Sequence, residues 1–381
     1  MQLFEQHDTT WSLYQRYLSL LINKDFAQKH NGAVTVAVQQ DSEQAFRRRE
    51  LLEIEEQANQ KKIIKQHGKE HFRQQVMNKF FTKVGGQINT EFENKEHFYQ
   101  QFLRIEDAAP AILELISLRA ASINRVTPLV KSLPWLADEL INLVNKPQYR
   151  KRADVKVTDA SLAISYIGLE NLKLVMPTFI LKHWLPISTS PYPLMKRKIW
   201  NDSLSVALAC RVLAENAGKD WYTAFAAGML SNVGILSVAR CFLSKYNELY
   251  NVEIKDAYEK RDKRLHDALV SLESSPELLL EQLSTRSYQV GADLIEQMRF
   301  DRLAITEPLF DIAFGRDPKK MTETAQLVAK AKAYVTFRSL AKEDLINNDE
   351  AKTLLSCAKI TSAEVALLKK SDIDHIKLNF K

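Results

Sequence analysis

Three short stretches of the chain carry side chains whose types and spacing could do chemistry. In HGKEH, residues 67–71, His67 and His71 stand four positions apart with Glu70 beside the second. On a helix these two imidazoles share a face and could hold zinc, with Glu70 as a base. The surroundings speak against it, because KKIIKQHGKEHFRQQ is dense in charge, Gly68 weakens a helix there, and no distal carboxylate ligand stands out. It reads as a solvated face. His266-Asp267 in KRLHDALVSL lies in another charged segment without partner ligands and reads as a surface pair. The third stretch is Ser231-Asn232, set in the middle of FAAGMLSNVGILSVAR, 225–240. A helix that is apolar nearly all round is buried, and a buried polar group without a partner costs about 1–3 kcal/mol. Ser231 and Asn232 are therefore expected to hydrogen-bond neighbouring helices, with Asp202 or Asn201 as partners.

Other catalytic devices are missing from the sequence. It has no G-x-S-x-G elbow, no G-x-x-x-x-G-K-[ST] loop and no glycine-rich dinucleotide turn, so acyl transfer and P-loop nucleotide chemistry lack their backbone supports. Cys210, Cys241 and Cys357 lie far apart with no C-x-x-C spacing, which indicates neither a disulfide framework nor a cysteine zinc site. They are expected to be small buried hydrophobes.

The elements that must position such residues follow from composition. The chain has 381 residues, 45% apolar and 26% charged, ordinary values for a globular protein with a substantial core. Only 10 glycines and 11 prolines punctuate it, which favours long helices over the frequent turns of a β protein. The formal charge of +6 is too nearly balanced to argue for nucleic acid, and runs such as RRRE at 47–50 and KRK at 196–198 read as solvated faces. No window reaches ~18 consecutive apolar residues, and the start lacks the basic-then-apolar order of a signal peptide. A cytoplasmic protein with no membrane contact is expected.

Along the chain, Trp11–Ile22 reads as an amphipathic helix with Asp8, Thr9 and Thr10 as candidate caps. In GAVTVAVQQ, 32–40, the valines alternate like a short strand. Asp41 could cap a long polar helix running toward Phe80 and Phe81, whose sparse apolar positions suggest an exposed or partner-facing arm. From Glu106 onward the pattern changes to broad apolar helices: EDAAPAILELISLRAA, then LPWLADELINLVNK, then VTDASLAISYIGLENLKLVMPTFIL with Thr158 or Asp159 as cap and Gly168 as a stop between two helices. WLPISTSPYPLMKRK, 184–198, holds three prolines and reads as a linker. A buried helix then ends near Gly218, and TAFAAGMLSNVGILSVARCFL forms the next.

In this order, the Asn145 helix, the ASLAISYIGLENL pair, IWNDS, GMLSNVGILSVAR and YQVGADLIEQMRF resemble the HDOD family, the HD-related output domains of bacterial signalling proteins. The resemblance covers roughly residues 106 to 300. It implies an all-α fold, a helical bundle of HDOD type with additional N-terminal and C-terminal helices. In the related HD phosphohydrolases, the position of Ser231-Asn232 holds a metal-binding His-Asp pair. An earlier ligand histidine aligns with Asp202, or with Asn201 on a slip of one, and a late ligand aspartate aligns near Lys332. Neutral Ser and Asn are poor ligands for a divalent cation, and an ammonium beside them repels it. The resemblance thus implies a degenerate site at Asp202, Ser231, Asn232 and Lys332, with no metal and no cofactor.

The expected organisation is an N-terminal helical region over 1–105, an HDOD-like domain over 106–300 with subdomains about 106–186 and 194–300, and a C-terminal helical extension over 301–381 packed on that domain. The expected function is non-catalytic bacterial signalling through a protein partner, with a homodimer through the N-terminal helices as a further expectation. Two alternatives stand beside it: a divergent metal-dependent phosphohydrolase, and a sensor that takes a small nucleotide-like ligand in the former active-site cleft.

Overall fold

A computed structural model describes residue 4 and residues 8–30, 53–150, 156–272 and 274–378. Side chains at 30 and 53–67 are outside that description. The strand expected at 32–40 and the cap expected at Asp41 lie outside it too. Among the described residues there are helices and no strand.

α1 (Asp8–Ile22) starts earlier than expected, so Asp8, Thr9 and Thr10 form its first turn, with Thr10 Oγ1 donating 2.7 Å to the carbonyl of Phe4. Its apolar residues are buried on more than one face, Leu13, Tyr14, Tyr17, Leu18, Leu20, Leu21 and Ile22 among them. α2 (Lys24–His30) follows directly. α3 (Glu53–Glu93) differs from the exposed arm expected up to Phe81. It runs on for three more turns, and Phe80, Val84 and Ile88, spaced i, i+4, i+8, are buried. The Phe80 ring meets Tyr246 edge-on at 5.4 Å. The sequence reading stopped at Phe81, so it missed the residues that complete this apolar stripe.

α4 (Lys95–His97) continues into a π-helical turn at Phe98–Phe102. α5 (Ala108–Ser117), α6 (Ile123–Lys131) and α7 (Pro134–Val144) pack with α8 (Ala160–Ile167) and α9 (Leu169–Trp184). Asp159 caps α8 by accepting from the Leu162 N–H, and Gly168 at φ 75° turns the chain by 115° into α9. That left-handed backbone is one that glycine adopts without steric cost. Asn145 closes α7 onto the strap that follows: its Oδ1 accepts from Val157 N–H at 3.0 Å and its Nδ2 donates to the Val157 carbonyl at 2.7 Å.

α10 (Met195–Asn216) and α11 (Trp221–Leu230) cross closely, then α12 (Val233–Glu259) packs on α14 (Pro276–Gln297), with α13 (Lys263–Val270) between them in sequence. A Cβ at Gly234 would lie 1.7 Å from the Ser287 carbonyl oxygen, so this crossing requires glycine. The stretch Trp221–Glu259 is long and apolar enough to cross a membrane, and 89% of its most apolar window is buried inside the fold. α15 (Thr306–Ala313), α16 (Glu323–Lys342), α17 (Asn348–Cys357) and α18 (Ser362–Lys370) complete the chain. α16 packs on α10 and α11, and α1 packs on α10, α14, α16 and α17. α3 lies against α12 and α13. The residues on either side of 106–300 therefore contribute helices to the packing around α10–α14.

Candidate functional site

Three helices converge on Ser231 and Asn232. The expected single helix over 223–243 is interrupted there: α11 ends at Leu230, α12 starts at Val233, and Asn232 takes φ −106°, ψ 8°. Neither glycine nor proline stands at the break. α10 supplies Asp202 and Ser203, α14 supplies Tyr288, and α16 supplies Lys332 and Ser339, seven residues apart and so on one helix face.

The hydrogen bonds run in one direction. Lys332 Nζ donates 2.6 Å to Asn232 Oδ1 and 3.3 Å to the Ser231 carbonyl. Asn232 Nδ2 donates 3.3 Å to Ser203 Oγ, which donates 2.7 Å to the Ile199 carbonyl. Ser231 Oγ turns back to the Gly228 carbonyl at 2.8 Å. The partner of Asn232 is thus Ser203 and Lys332, where the sequence reading had looked to Asp202 or Asn201; Asn201 is exposed. Asp202 faces a different way. Its Oδ2 accepts from Tyr17 Oη of α1 at 2.9 Å and its Oδ1 from Ser339 Oγ at 3.4 Å.

Electrostatics follow from this burial. Lys332 is only 5% exposed, and desolvation pulls its ammonium down to about 8, against the opposing pull of Cys210 and Asp202. The Tyr288 ring lies 5.5 Å from Nζ and offers it a cation–π contact. Burial likewise lifts the Asp202 carboxyl to about 6, although the Tyr17 hydroxyl and the Arg338 charge favour its ionised form. The donor set does not fit a metal ion. The Asn232 amide oxygen is already held by an ammonium, the Ser231 hydroxyl is committed to a backbone carbonyl, and the one carboxylate is turned toward Tyr17. A divalent cation needs several deprotonated ligands facing one point. Among the described residues, no three His, Cys, Asp or Glu side chains are grouped to hold one. The cavity beside Ser231 measures about 20 Å³.

The other two candidate motifs lie elsewhere. His71 is exposed on α3, its Nε2 3.0 Å from Gln75 of the same helix, and Glu70 is exposed beside it. His266 and Asp267 are neighbours on α13 at 3.8 Å, with Asp267 solvent-facing. Of the cysteines, Cys210 and Cys241 are buried and Cys357 is half-buried. The residues missed from sequence were Tyr17, Ser203, Tyr288 and Ser339. No local pattern marks them, since each is set by an approach between helices distant in the chain.

Compared with known proteins, residues 103–274 match the HDOD domain. No curated protein matches the chain. Among solved structures, a protein provisionally assigned as a phosphohydrolase from Shewanella amazonensis SB2B is 20% identical, with 70% of this chain and 88% of that one covered and a TM-score of 0.43. An HDOD domain protein of unknown function from Geobacter sulfurreducens is 16% identical, covering 73% of this chain and 94% of that one, TM-score 0.41. A provisionally assigned signal transduction protein from Marinobacter aquaeolei VT8 is 15% identical, covering 76% and 66%, TM-score 0.42. These likenesses are too distant to bear on chemistry.

Proposed function

We propose, on the premise that residues 103–274 form an HDOD domain, that the chain is a non-catalytic regulatory protein of a signalling pathway and acts by presenting its helical surface to a protein partner. The observation that carries this reading is Lys332. Its ammonium lies against Asn232 and Ser231, the positions that align with the metal-binding pair of HD phosphohydrolases. A cation held by the protein itself stands there, and repulsion in a low-dielectric site disfavours a second one. The divergent phosphohydrolase would need ligands that these residues do not supply. The sensor of a nucleotide-like ligand in the same cleft is disfavoured by space, because about 20 Å³ is close to the volume that admits one water.

The N-terminal region supports the regulatory part of this reading. Tyr17 ties α1 to Asp202, and Arg16 ties it to the Leu345 carbonyl at 2.7 Å and to Glu350 at 3.1 Å. α1 is therefore spent inside its own chain, and a homodimer through N-terminal helices would use the outer face of α3. The test is hydrolysis of bis(p-nitrophenyl) phosphate by the purified full chain with added Mn²⁺, Mg²⁺, Fe²⁺ or Zn²⁺. The expected result is no turnover, and none after Ser231→His with Asn232→Asp, because Lys332 remains. Turnover by the unmodified protein that disappears in Asp202→Ala would overturn the reading.

A further inference from the structure

A separate cavity of about 640 Å³ opens where the Leu103–Glu106 turn, α7, α9, the 185–194 strap and α12 meet. It shares no residue with the site above. Two arginines line it, Arg104 and Arg240, and neither has a carboxylate partner among the described residues. Arg240 donates Nη1 to the carbonyls of Leu103 and Trp184, both at 3.3 Å, and Nη2 to that of Phe102 at 3.2 Å. A guanidinium has five N–H donors, so the Nε–H and one Nη2–H have no partner among the described residues. Arg104 is exposed, has no side-chain hydrogen bond or ion pair among the described residues, and holds φ 54°, a left-handed backbone uncommon outside glycine. Burial and the charge of Arg104 both weaken the hold of Arg240 on its proton. Lys196 adds a third cation at the rim, with only a 3.4 Å contact to the Ile187 carbonyl.

Three carboxylates also line the cavity, Glu106, Asp138 and Glu139, with Glu106 4.0 Å from the His183 ring. Glu139 pairs with Lys182 at 3.6 Å, and Glu106 accepts the Trp135 indole N–H at 3.2 Å; Asp138 alone has no partner among the described residues. The Trp135 and His183 rings stack face to face at 3.8 Å and 3°, and both residues line the cavity. The space thus carries two arginines without a carboxylate partner among the described residues, together with a stacked aromatic pair bonded to Glu106, and its volume suits a small ligand.

We propose that this cavity binds a small oxyanion carried on a flat apolar body, its phosphate or carboxylate group bridging Arg104 and Arg240 and its body against the Trp135–His183 pair. The bridging group would offset the charge of the two guanidiniums and accept from the Arg240 donors that its carbonyl partners leave over.

The experiment is calorimetric titration of the full chain with phenyl phosphate, benzoate and inorganic phosphate, repeated on Arg104→Gln. Arg104 is exposed and has no side-chain bond among the described residues, so this variant should keep the wild-type melting temperature, whereas Arg240 holds three carbonyls and is left intact. Phenyl phosphate or benzoate should bind with Kd below about 1 mM, and whichever is tighter identifies the oxyanion. Inorganic phosphate should bind about tenfold more weakly, and Arg104→Gln should weaken the tighter ligand about tenfold. No binding of either aromatic anion overturns the proposal, as does binding that is unchanged in Arg104→Gln. Inorganic phosphate binding as tightly as phenyl phosphate overturns the aromatic contact.

Discussion

Lys332 Nζ sits 2.6 Å from Asn232 Oδ1, across 100 residues of chain. The contact explains why a polar pair tolerates so apolar a setting. Lys332 satisfies Asn232, Asn232 satisfies Ser203, and the chain of donors ends on the Ile199 carbonyl. It also means that the burial of an ammonium has a measurable cost.

That cost should appear in the pH dependence of stability. With its folded value near 8 and its ordinary value at 10.5, Lys332 sheds its proton in the folded chain while the unfolded chain still holds one. Its contribution to stability therefore rises as pH goes from about 8 toward 10.5, by about 3 kcal/mol in full. Urea denaturation of wild type and Lys332→Met between pH 7.5 and 9.5 isolates this term. The wild type should gain on the variant as pH rises, and parallel profiles would show that Lys332 is solvated.

Asp202 should give the opposite slope at lower pH. Its carboxyl, raised from 3.8 to about 6, takes up a proton more readily in the folded chain, so its stabilisation is present below about pH 4 and is lost as pH rises through 6. Asp202→Asn fixes the neutral form. The difference between wild type and this variant should fall between pH 4 and 6 and stay flat above, as followed by denaturant midpoints.

Two glycine substitutions should move stability in opposite directions. Gly234→Ala would put a Cβ 1.7 Å from the Ser287 carbonyl and force α12 off α14, so a loss of about 3 kcal/mol or failure to fold is expected. Gly86→Ala meets nothing within 4 Å and lies inside α3, so a gain of about 0.5–1 kcal/mol is expected. Thermal melts of both variants check this. A loss at Gly86 would place α3 differently from its position against α12.

What could be read from the sequence was local. Gly168, Asp159 and Gly218 mark helix ends through backbone freedom and capping, which act over a few residues. The helical class followed from apolar spacing. The break at Ser231-Asn232 was not read from the sequence, although Ser231 Oγ bonds back to the Gly228 carbonyl, a local competitor of the helix; the Lys332 partner of Asn232 lies 100 residues on. Tyr17 meeting Asp202, 185 residues away, was hidden for the same reason. The position aligned near Lys332 came from a family resemblance, whereas its bond to Asn232 came only from the fold.

We propose that the Lys332 ammonium stands where a divalent metal would bind in the related phosphohydrolases. Calorimetric titration of the purified full chain with Mn²⁺ tests it most directly. No saturable binding at the site is predicted, so that wild type and Asp202→Ala give the same heats. One equivalent of Mn²⁺ bound with Kd of about 10 µM or tighter, and lost in Asp202→Ala, would contradict it.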